Sequence, residues 1–257
     1  AHGKLAVNFR ENPEVQVVAL DEGTNDQSLV MTSSFTNLVI AAQSLGFLNS
    51  IELYEKRCRQ LSEIVDRLFQ GHFDTLDRAA RSNFGRAVFL GTGAQFGACR
   101  EAALKMLEMT AGKIGAMAET YLGFRHGPMS YVHDKTLVVC FLSSNEVARA
   151  YECDLLHELD EKNLGLLKVI VGENVPASVA REQDIIINCP MLNEVGDDCA
   201  AVVDVVIGQL LGFFRCLHEG LRPDSPSESG VINRVVQDFK LHLPRTANKA
   251  VKPRSEK

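Results

Sequence analysis

Strand-like and helix-like runs alternate between residues 86 and 219, and this alternation restricts the chain to few architectures. The short apolar runs are Arg86–Leu90, Ile114–Glu119, Thr136–Leu142, Leu167–Val171 and Asp184–Asn188. The longer helix-like segments are Ala94–Thr110, Asn145–Asn163 and Cys199–Glu219. Because strands separated by helices pair in parallel through right-handed crossovers, we predict an α/β fold with a doubly wound parallel sheet flanked by helices.

Outside this region the pattern changes. Val15–Leu20 is a short apolar run rich in valine, which predicts a buried strand. Residues 28–48 are typical of a helix preceded by turn and capping residues, and residues 51–82 of one or two charged helices that connect two units. After Leu221 the chain becomes irregular and ends in a basic tail.

Charge and cysteine content narrow the class of protein. The formal net charge of −6 and the isoelectric point near 5.7 argue against nucleic acid or an anionic membrane as a partner. No apolar run approaches the ~18 residues that a membrane-spanning helix needs. Seven scattered cysteines without a C-x-x-C pair favour reduced, mostly buried thiols in a cytoplasmic protein over a disulfide framework or a zinc site.

The segment "CREAALKMLEMTAGK" combines an apolar helix with a narrow charged stripe. Glu101, Lys105 and Glu108 fall within an arc of roughly 60° when each residue turns the helix by about 100°. The rest of the helix is apolar around most of its circumference, which predicts burial. Two interpretations are open: an acid–base group, or an ordinary Glu–Lys pair that faces solvent.

The segment "FLGTGAQFGACREA" reads as a strand, a glycine-rich turn and a helix. Ligands in open α/β sheets bind at the carboxyl ends of strands, and helix N-termini attract anions, so Gly91 and Thr92 are candidate ligand contacts. The alternative is a tight turn that needs glycine only for its backbone geometry. The spacing G-x-G-x-x-x-G is one residue too long for a dinucleotide fingerprint.

Four segments together carry a family resemblance: "TNDQSLVMTSSFT", "GTGAQFGACREAALKMLEMTAGK", "LGFRHGP" and "GLRPDSPSESGVINRVVQ". The chain resembles sugar isomerase (SIS) domain proteins, in particular the tagatose-6-phosphate ketose/aldose isomerase group, also described as galactosamine-6-phosphate deaminase/isomerases. Such proteins have two SIS domains in tandem. The resemblance implies the end of a first SIS domain at 1–50, a helical connector at 51–83, a complete second SIS domain at 84–222 and a tail at 223–257. It also implies truncation at the N-terminus, since the first domain's phosphate-binding loops are not in the sequence.

The related isomerase domain of glucosamine-6-phosphate synthase implies a role for each residue of the charged stripe. Glu108 matches the base that moves a proton between C1 and C2 of the open-chain sugar. Lys105 matches a lysine near the reacting carbonyl or amine, and Glu101 a carboxylate of the same helix face. His126 matches a histidine that assists ring opening and comes from the neighbouring subunit, which implies a homodimer or larger homo-oligomer. Alternatively, His126 is a turn residue without a chemical role.

The implied function is the interconversion of an aldose or amino-sugar 6-phosphate with a ketose 6-phosphate, with galactosamine 6-phosphate and tagatose 6-phosphate as the expected pair. The resemblance implies neither a metal nor a nucleotide cofactor. Thr32, Ser33 and Ser34 are candidate phosphate contacts, or else polar residues at a helix start. The alternative function is a non-catalytic phosphosugar-binding or regulatory SIS protein, which would have no need of Glu108 beside Lys105.

Overall fold

A computed structural model describes residues 3–227 and 229–234 of the chain. Its strands are β1 (Arg86–Leu90), β2 (Gly115–Glu119), β3 (Thr136–Phe141), β4 (Leu167–Gly172) and β5 (Ile185–Asn188). They form one sheet in the order β2-β1-β3-β4-β5, and all four pairings are parallel. The predicted α/β sheet is confirmed, and each strand begins and ends within one residue of its expected position.

Helices lie before the sheet and between its strands. They are α1 (Lys4–Phe9), α2 (Ser33–Gln43), α3 (Ile51–Arg81), α4 (Ala94–Met109), α5 (Tyr121–Phe124), α6 (Glu146–Glu161), α7 (Leu192–Val195) and α8 (Asp197–His218). The three helices predicted within the alternating region correspond to α4, α6 and α8. The charged segment predicted as one or two helices is the single helix α3.

The sheet is covered on both faces, as a doubly wound fold requires. In β3, Leu137 and Val139 pack in one apolar cluster with residues of α3, α4 and α8. Val138 and Cys140 point the other way, into a cluster with residues of α5 and α6. Successive side chains of a strand alternate between faces, so β3 is buried on both sides and its sequence is a continuous apolar run.

The strand predicted at Val15–Leu20 is wrong. This segment has no regular structure, and Val18 is 74% exposed. An apolar run becomes a strand only where a neighbouring strand receives its backbone hydrogen bonds, and among residues 3–227 and 229–234 none of the five strands pairs with it. Most of the tail predicted at 223–257 lies outside the described residues.

Helix α8 corrects the expectation that no segment is long and apolar enough to span a membrane. It is long and apolar enough to cross a membrane by length and composition alone, although the sequence analysis found no such run. Within the fold, 67% of the apolar window is buried. Val203, Ile207 and Leu211 lie in the core cluster with α3 and α4. This burial is typical of a core helix.

Two glycines of α8 allow it to approach α4 closely. A Cβ atom on Gly208 would lie 2.3 Å from the Cβ of Ala102, and one on Gly212 would lie 3.3 Å from the backbone oxygen of Lys105. Small residues at these two positions therefore set the distance between the two helices. Since α4 carries the charged stripe, α8 determines where that stripe lies.

We expect Gly208→Ala to destabilise the fold by about 1–3 kcal/mol, because the added methyl group overlaps Ala102 and the helices must separate. The matched control is Gly71→Ala in α3, where a Cβ meets nothing within 4 Å. That change should stabilise by up to ~1 kcal/mol through helix propensity. Urea unfolding of both variants measures the difference, and equal stabilities would contradict the tight α4–α8 contact.

Candidate active site

The charged stripe of α4 forms a three-membered ion cluster. Lys105 Nζ donates a hydrogen bond to Glu108 Oε2 at 2.7 Å and lies 3.1 Å from Glu101 Oε1. The side chains of Lys105, Glu101 and Glu108 are 5%, 11% and 27% exposed. An ordinary Glu–Lys pair that faces solvent would leave its ammonium group in water. The burial of Lys105 therefore fits an acid–base group better than such a pair.

Burial and charge act in opposite directions on Glu101. Burial raises the pKa of its carboxyl group, the neighbouring Lys105 ammonium lowers it, and Glu108 raises it again, so that the pKa lies above its usual value. Glu101 also borders a groove of about 550 Å³ between α4 and β2. A raised pKa makes a carboxyl group a better proton acceptor, which is the property that a general base needs.

The glycine loop after β1 is a tight turn. A Cβ atom on Gly91 would lie 2.8 Å from Cys99 Sγ and 2.9 Å from the backbone carbon of Gln95, so only glycine fits. Gly93 has a φ of +59°, in the region that favours glycine. Both positions therefore need glycine for backbone reasons, as the tight-turn interpretation expects.

Carboxylates accept hydrogen bonds from the polar groups at the carboxyl ends of β1 and β3. The Thr92 hydroxyl donates to Glu152 Oε1 at 2.6 Å, and the Ser143 amide donates to Glu152 Oε2 at 2.8 Å. The Ser144 amide donates to Asp197 Oδ1 at 2.8 Å, and the Ser143 hydroxyl also donates to Asp197. We call this group the strand-end cluster. A ligand contact from Gly91 and Thr92 stays a prediction, and Thr92 already has a partner.

Asp26 satisfies the polar groups at the start of α2. Its carboxylate accepts hydrogen bonds from the amides of Thr32, Ser33 and Ser34 at 3.0, 3.2 and 2.8 Å, and from the Thr32 hydroxyl at 3.0 Å. Burial raises the pKa of Asp26, but these hydrogen bonds outweigh it and hold the pKa below its usual value. The helix-start role is therefore present in the structure, and a phosphate contact from Thr32, Ser33 or Ser34 stays a prediction.

His126 lies apart from the ion cluster. It follows α5, its backbone amide donates to the Gly123 oxygen at 3.1 Å, and its residue is exposed. Within residues 3–227 and 229–234, no hydrogen bond or ion pair joins His126 to Glu101, Lys105 or Glu108. Its predicted role in a neighbouring subunit's site stays a prediction.

The described residues contain no group of three or more His, Cys, Asp or Glu side chains that could hold a metal ion. Sequence reasoning missed Glu152 and Asp197, which hold the two strand-end loops. They lie 60 and 54 residues from the side chains they bind, and no spacing in the sequence signals such contacts. Only their loops could be inferred, because they follow predicted parallel strands.

The SIS domain profile matches residues 82–213, slightly more than half of the chain. The chain belongs to the SIS domain family. The sheet, the glycine loop and the charged helix of this chain lie within the matched region, whereas α1, α2 and most of α3 precede it.

Three relatives show how far the likeness of this SIS chain extends. The D-galactosamine-6-phosphate deaminase AgaS of Escherichia coli is 35% identical over 245 residues, which are 93% of this chain and 62% of that protein. The tagatose-6-phosphate ketose/aldose isomerase structure from Escherichia coli has a TM-score of 0.77 at 30% identity and covers 92% of this chain and 62% of its own. A Clostridium novyi structure provisionally assigned to the same isomerase activity has a TM-score of 0.86 at 31% identity, over 94% of this chain and 62% of its own. The SIS chain thus spans about three fifths of the length of these relatives.

Proposed function

We propose that this SIS chain supplies the acid–base residues for isomerising or deaminating a hexose 6-phosphate, with galactosamine 6-phosphate and tagatose 6-phosphate as the substrate and product. The observation that carries the proposal is the buried Glu101–Lys105–Glu108 cluster. A protein that only binds sugar phosphate has no use for a lysine held between two carboxylates. The names of the relatives support the substrate class.

Glu108 is the proposed base. In the open-chain aldose it removes the proton from C2, and the electron pair forms the C1–C2 double bond of an enediolate. Lys105 stabilises the negative charge that develops on the oxygen at C1, and this oxygen takes the proton of the C2 hydroxyl group. Glu108 then returns its proton to C1, and C2 becomes the carbonyl carbon of the ketose. Lys105 Nζ lies 2.7 Å from Glu108 Oε2, which supports a shared role of the cation and the base in one site.

Deamination uses the same proton transfer. When C2 carries an amine, the proton on C2 moves to C1 and one N–H proton moves to the oxygen at C1, which leaves an imine at C2 in place of a ketone. Water adds to this imine carbon, the carbon–nitrogen bond breaks, and ammonia leaves with the proton that it requires. The products are one ketose phosphate and one ammonia for each amino sugar and each water consumed.

The remaining assignments concern the whole protein. We infer that His126 acts in the site of a second subunit within a homo-oligomer, because it is exposed and apart from the cluster of its own chain. Phosphate contacts are assigned in part to Thr32, Ser33 and Ser34 and otherwise to residues of a preceding SIS domain. All seven cysteines are free thiols and five are buried, which supports a cytoplasmic location.

The test is to incubate this chain, and a longer form with the remaining length found in its relatives, with galactosamine 6-phosphate. Released ammonia and tagatose 6-phosphate are measured separately, and tagatose 6-phosphate alone is assayed for conversion to an aldose. We expect one of the two reactions from the longer form and slower turnover from this chain. Binding of either sugar without any turnover by the longer form would favour the non-catalytic SIS protein.

A further inference from the structure

Gln95 and Asp204 face each other in the contact between α4 and α8. Asp204 is fully buried, and Gln95 is 1% exposed. The Gln95 side-chain amide donates to Asp204 Oδ2 at 3.1 Å and to the backbone oxygen of Leu142 at 3.3 Å. These two bonds use both amide hydrogens, so the orientation of the Gln95 amide group is fixed.

Two oxygen atoms of this pair receive no hydrogen bond from any residue in 3–227 or 229–234. They are Gln95 Oε1 and Asp204 Oδ1, both buried. A buried acceptor without a donor is unfavourable, and native structures rarely contain one. These two atoms belong to groups that already share one hydrogen bond. A proton on Asp204 Oδ1 would turn this oxygen from an acceptor without a partner into a hydroxyl donor, the kind of group that Gln95 Oε1 lacks.

The surroundings of Asp204 favour its neutral form. Burial raises its pKa most, the hydrogen bond from Gln95 lowers it, and the carboxylates of Asp197 and Glu152 raise it further, to about 8. Asp204 in turn raises the pKa of Cys99 of α4, Tyr121 of α5 and Cys189 after β5. None of these three carries a positive charge. Arg149 is a nearby cation, and it lowers the pKa of Glu152.

We propose that Asp204 is a neutral carboxylic acid that pairs with Gln95 through two hydrogen bonds and thereby fixes the first turn of α4 against α8. Asp204 is a positioning residue, because no hydrogen bond or ion pair within the described part of the chain joins it to the Glu101–Lys105–Glu108 cluster. Asp204 binds a proton, and loss of this proton at higher pH would weaken the contact that holds α4, the helix with the Glu101–Lys105–Glu108 cluster, against α8. This inference does not depend on the proposed function.

The first test detects the proton directly in the unmodified protein. Infrared spectra of protein labelled with ¹³C at its aspartate carboxyl groups separate protonated from ionised aspartate, and the label excludes glutamate. At pH 6 ordinary aspartates are ionised. We expect one protonated aspartate band at pH 6 that disappears as the pH rises above about 8. Carboxylate bands alone at pH 6 would overturn the proposal and would mean that a buried water or a cation satisfies the two oxygen atoms.

The second test uses Asp204→Asn, which keeps the shape, supplies a permanent donor to Gln95 Oε1 and cannot ionise. Wild-type Asp204 holds a proton in the folded state between its unfolded pKa near 3.8 and its folded pKa of about 8, so it makes folding less favourable as pH rises through that window. We therefore expect the folded-to-unfolded ratio of Asp204→Asn, relative to wild type, to rise about tenfold per pH unit between pH 5 and 8.

The matched control is Asp198→Asn, an exposed aspartate of the same helix, which should show no such trend. Chemical unfolding at pH 5, 6.5 and 8 measures all three proteins. A ratio of Asp204→Asn to wild type that does not change with pH would show that Asp204 is ionised in the folded chain and would overturn the proposal. If the variant does not fold, the infrared spectrum of the wild type decides.

Discussion

Glu108→Gln should reduce turnover of the amino-sugar or ketose phosphate by about 10²–10⁴-fold, the usual effect of removing a general base. The amide keeps the size of the carboxylate and still accepts a hydrogen bond from Lys105, which lies 2.7 Å away in the wild type. Substrate affinity should therefore stay within a few-fold, because the lost interaction belongs to the transition state. Steady-state kinetics and calorimetric binding on the longer form separate the two effects.

The control is Glu55→Gln in α3, an exposed glutamate 3.6 Å from Arg59, which should leave turnover unchanged. Turnover by Glu108→Gln above about a tenth of wild type would remove Glu108 from the mechanism. The same variant also tests His126. Mixed with inactive His126→Ala subunits, it should regain activity if the two residues come from different subunits, and verified exchange without recovery would exclude that arrangement.

Asp184→Asn should destabilise the fold by about 3–5 kcal/mol, because it leaves a buried ammonium group short of a partner. The Lys168 side chain is fully buried and lies 2.7 Å from Asp184 Oδ2. Asp184 also accepts the backbone amides of Lys168 and Arg181, both at 2.8 Å. After the substitution, Asp160 is the remaining carboxylate partner of Lys168 among the described residues. Urea unfolding at neutral pH measures the loss.

Low pH should reduce the difference in stability between wild type and Asp184→Asn. Burial raises the pKa of Asp184, but hydrogen bonds from Arg181 and Lys168 outweigh it and hold the pKa below its usual value of 3.8. The stabilisation is therefore complete above about pH 4 and is lost as the pH falls through the lower, folded-state pKa. The difference in stability between Asp184→Asn and wild type should therefore shrink as the pH falls below 3.8.

Two further variants test whether the buried Lys168 ammonium group causes the loss of stability in Asp184→Asn. Glu63→Gln removes an exposed partner of Arg67 and should cost less than about 0.5 kcal/mol. Adding Lys168→Met to Asp184→Asn removes the ammonium group and should restore part of the stability. A loss in Asp184→Asn no larger than in Glu63→Gln would contradict the argument.

The sequence predicted those parts of the fold that local periodicity determines. All five strands were found because each is a short apolar run followed by a turn and a helix, and the Glu101–Lys105–Glu108 cluster was found because three charges share one helix face. Val15–Leu20 has the same local signal as a true strand. It failed because a strand also needs a neighbour, which composition alone does not reveal.

The strand-end cluster and the Gln95–Asp204 pair could not be predicted, for a related reason. Gln95 and Asp204 are 109 residues apart, and their contact depends on how α8 packs against α4. A single aspartate in an apolar helix is unusual, but the sequence does not indicate which residue it contacts. The raised pKa of Asp204 follows from its burial, which exists only after the sheet and both helices have assembled.

The strand-end cluster has a consequence for selectivity among anions. A phosphate or sulfate ion that approached the ends of β1 and β3 would meet the carboxylates of Glu152 and Asp197, which already hold the donors of Thr92, Ser143 and Ser144. Like charges at such short range repel strongly in a site shielded from water. An anion is therefore disfavoured at this end of the sheet, and the dianion of a sugar phosphate should bind elsewhere on the molecule.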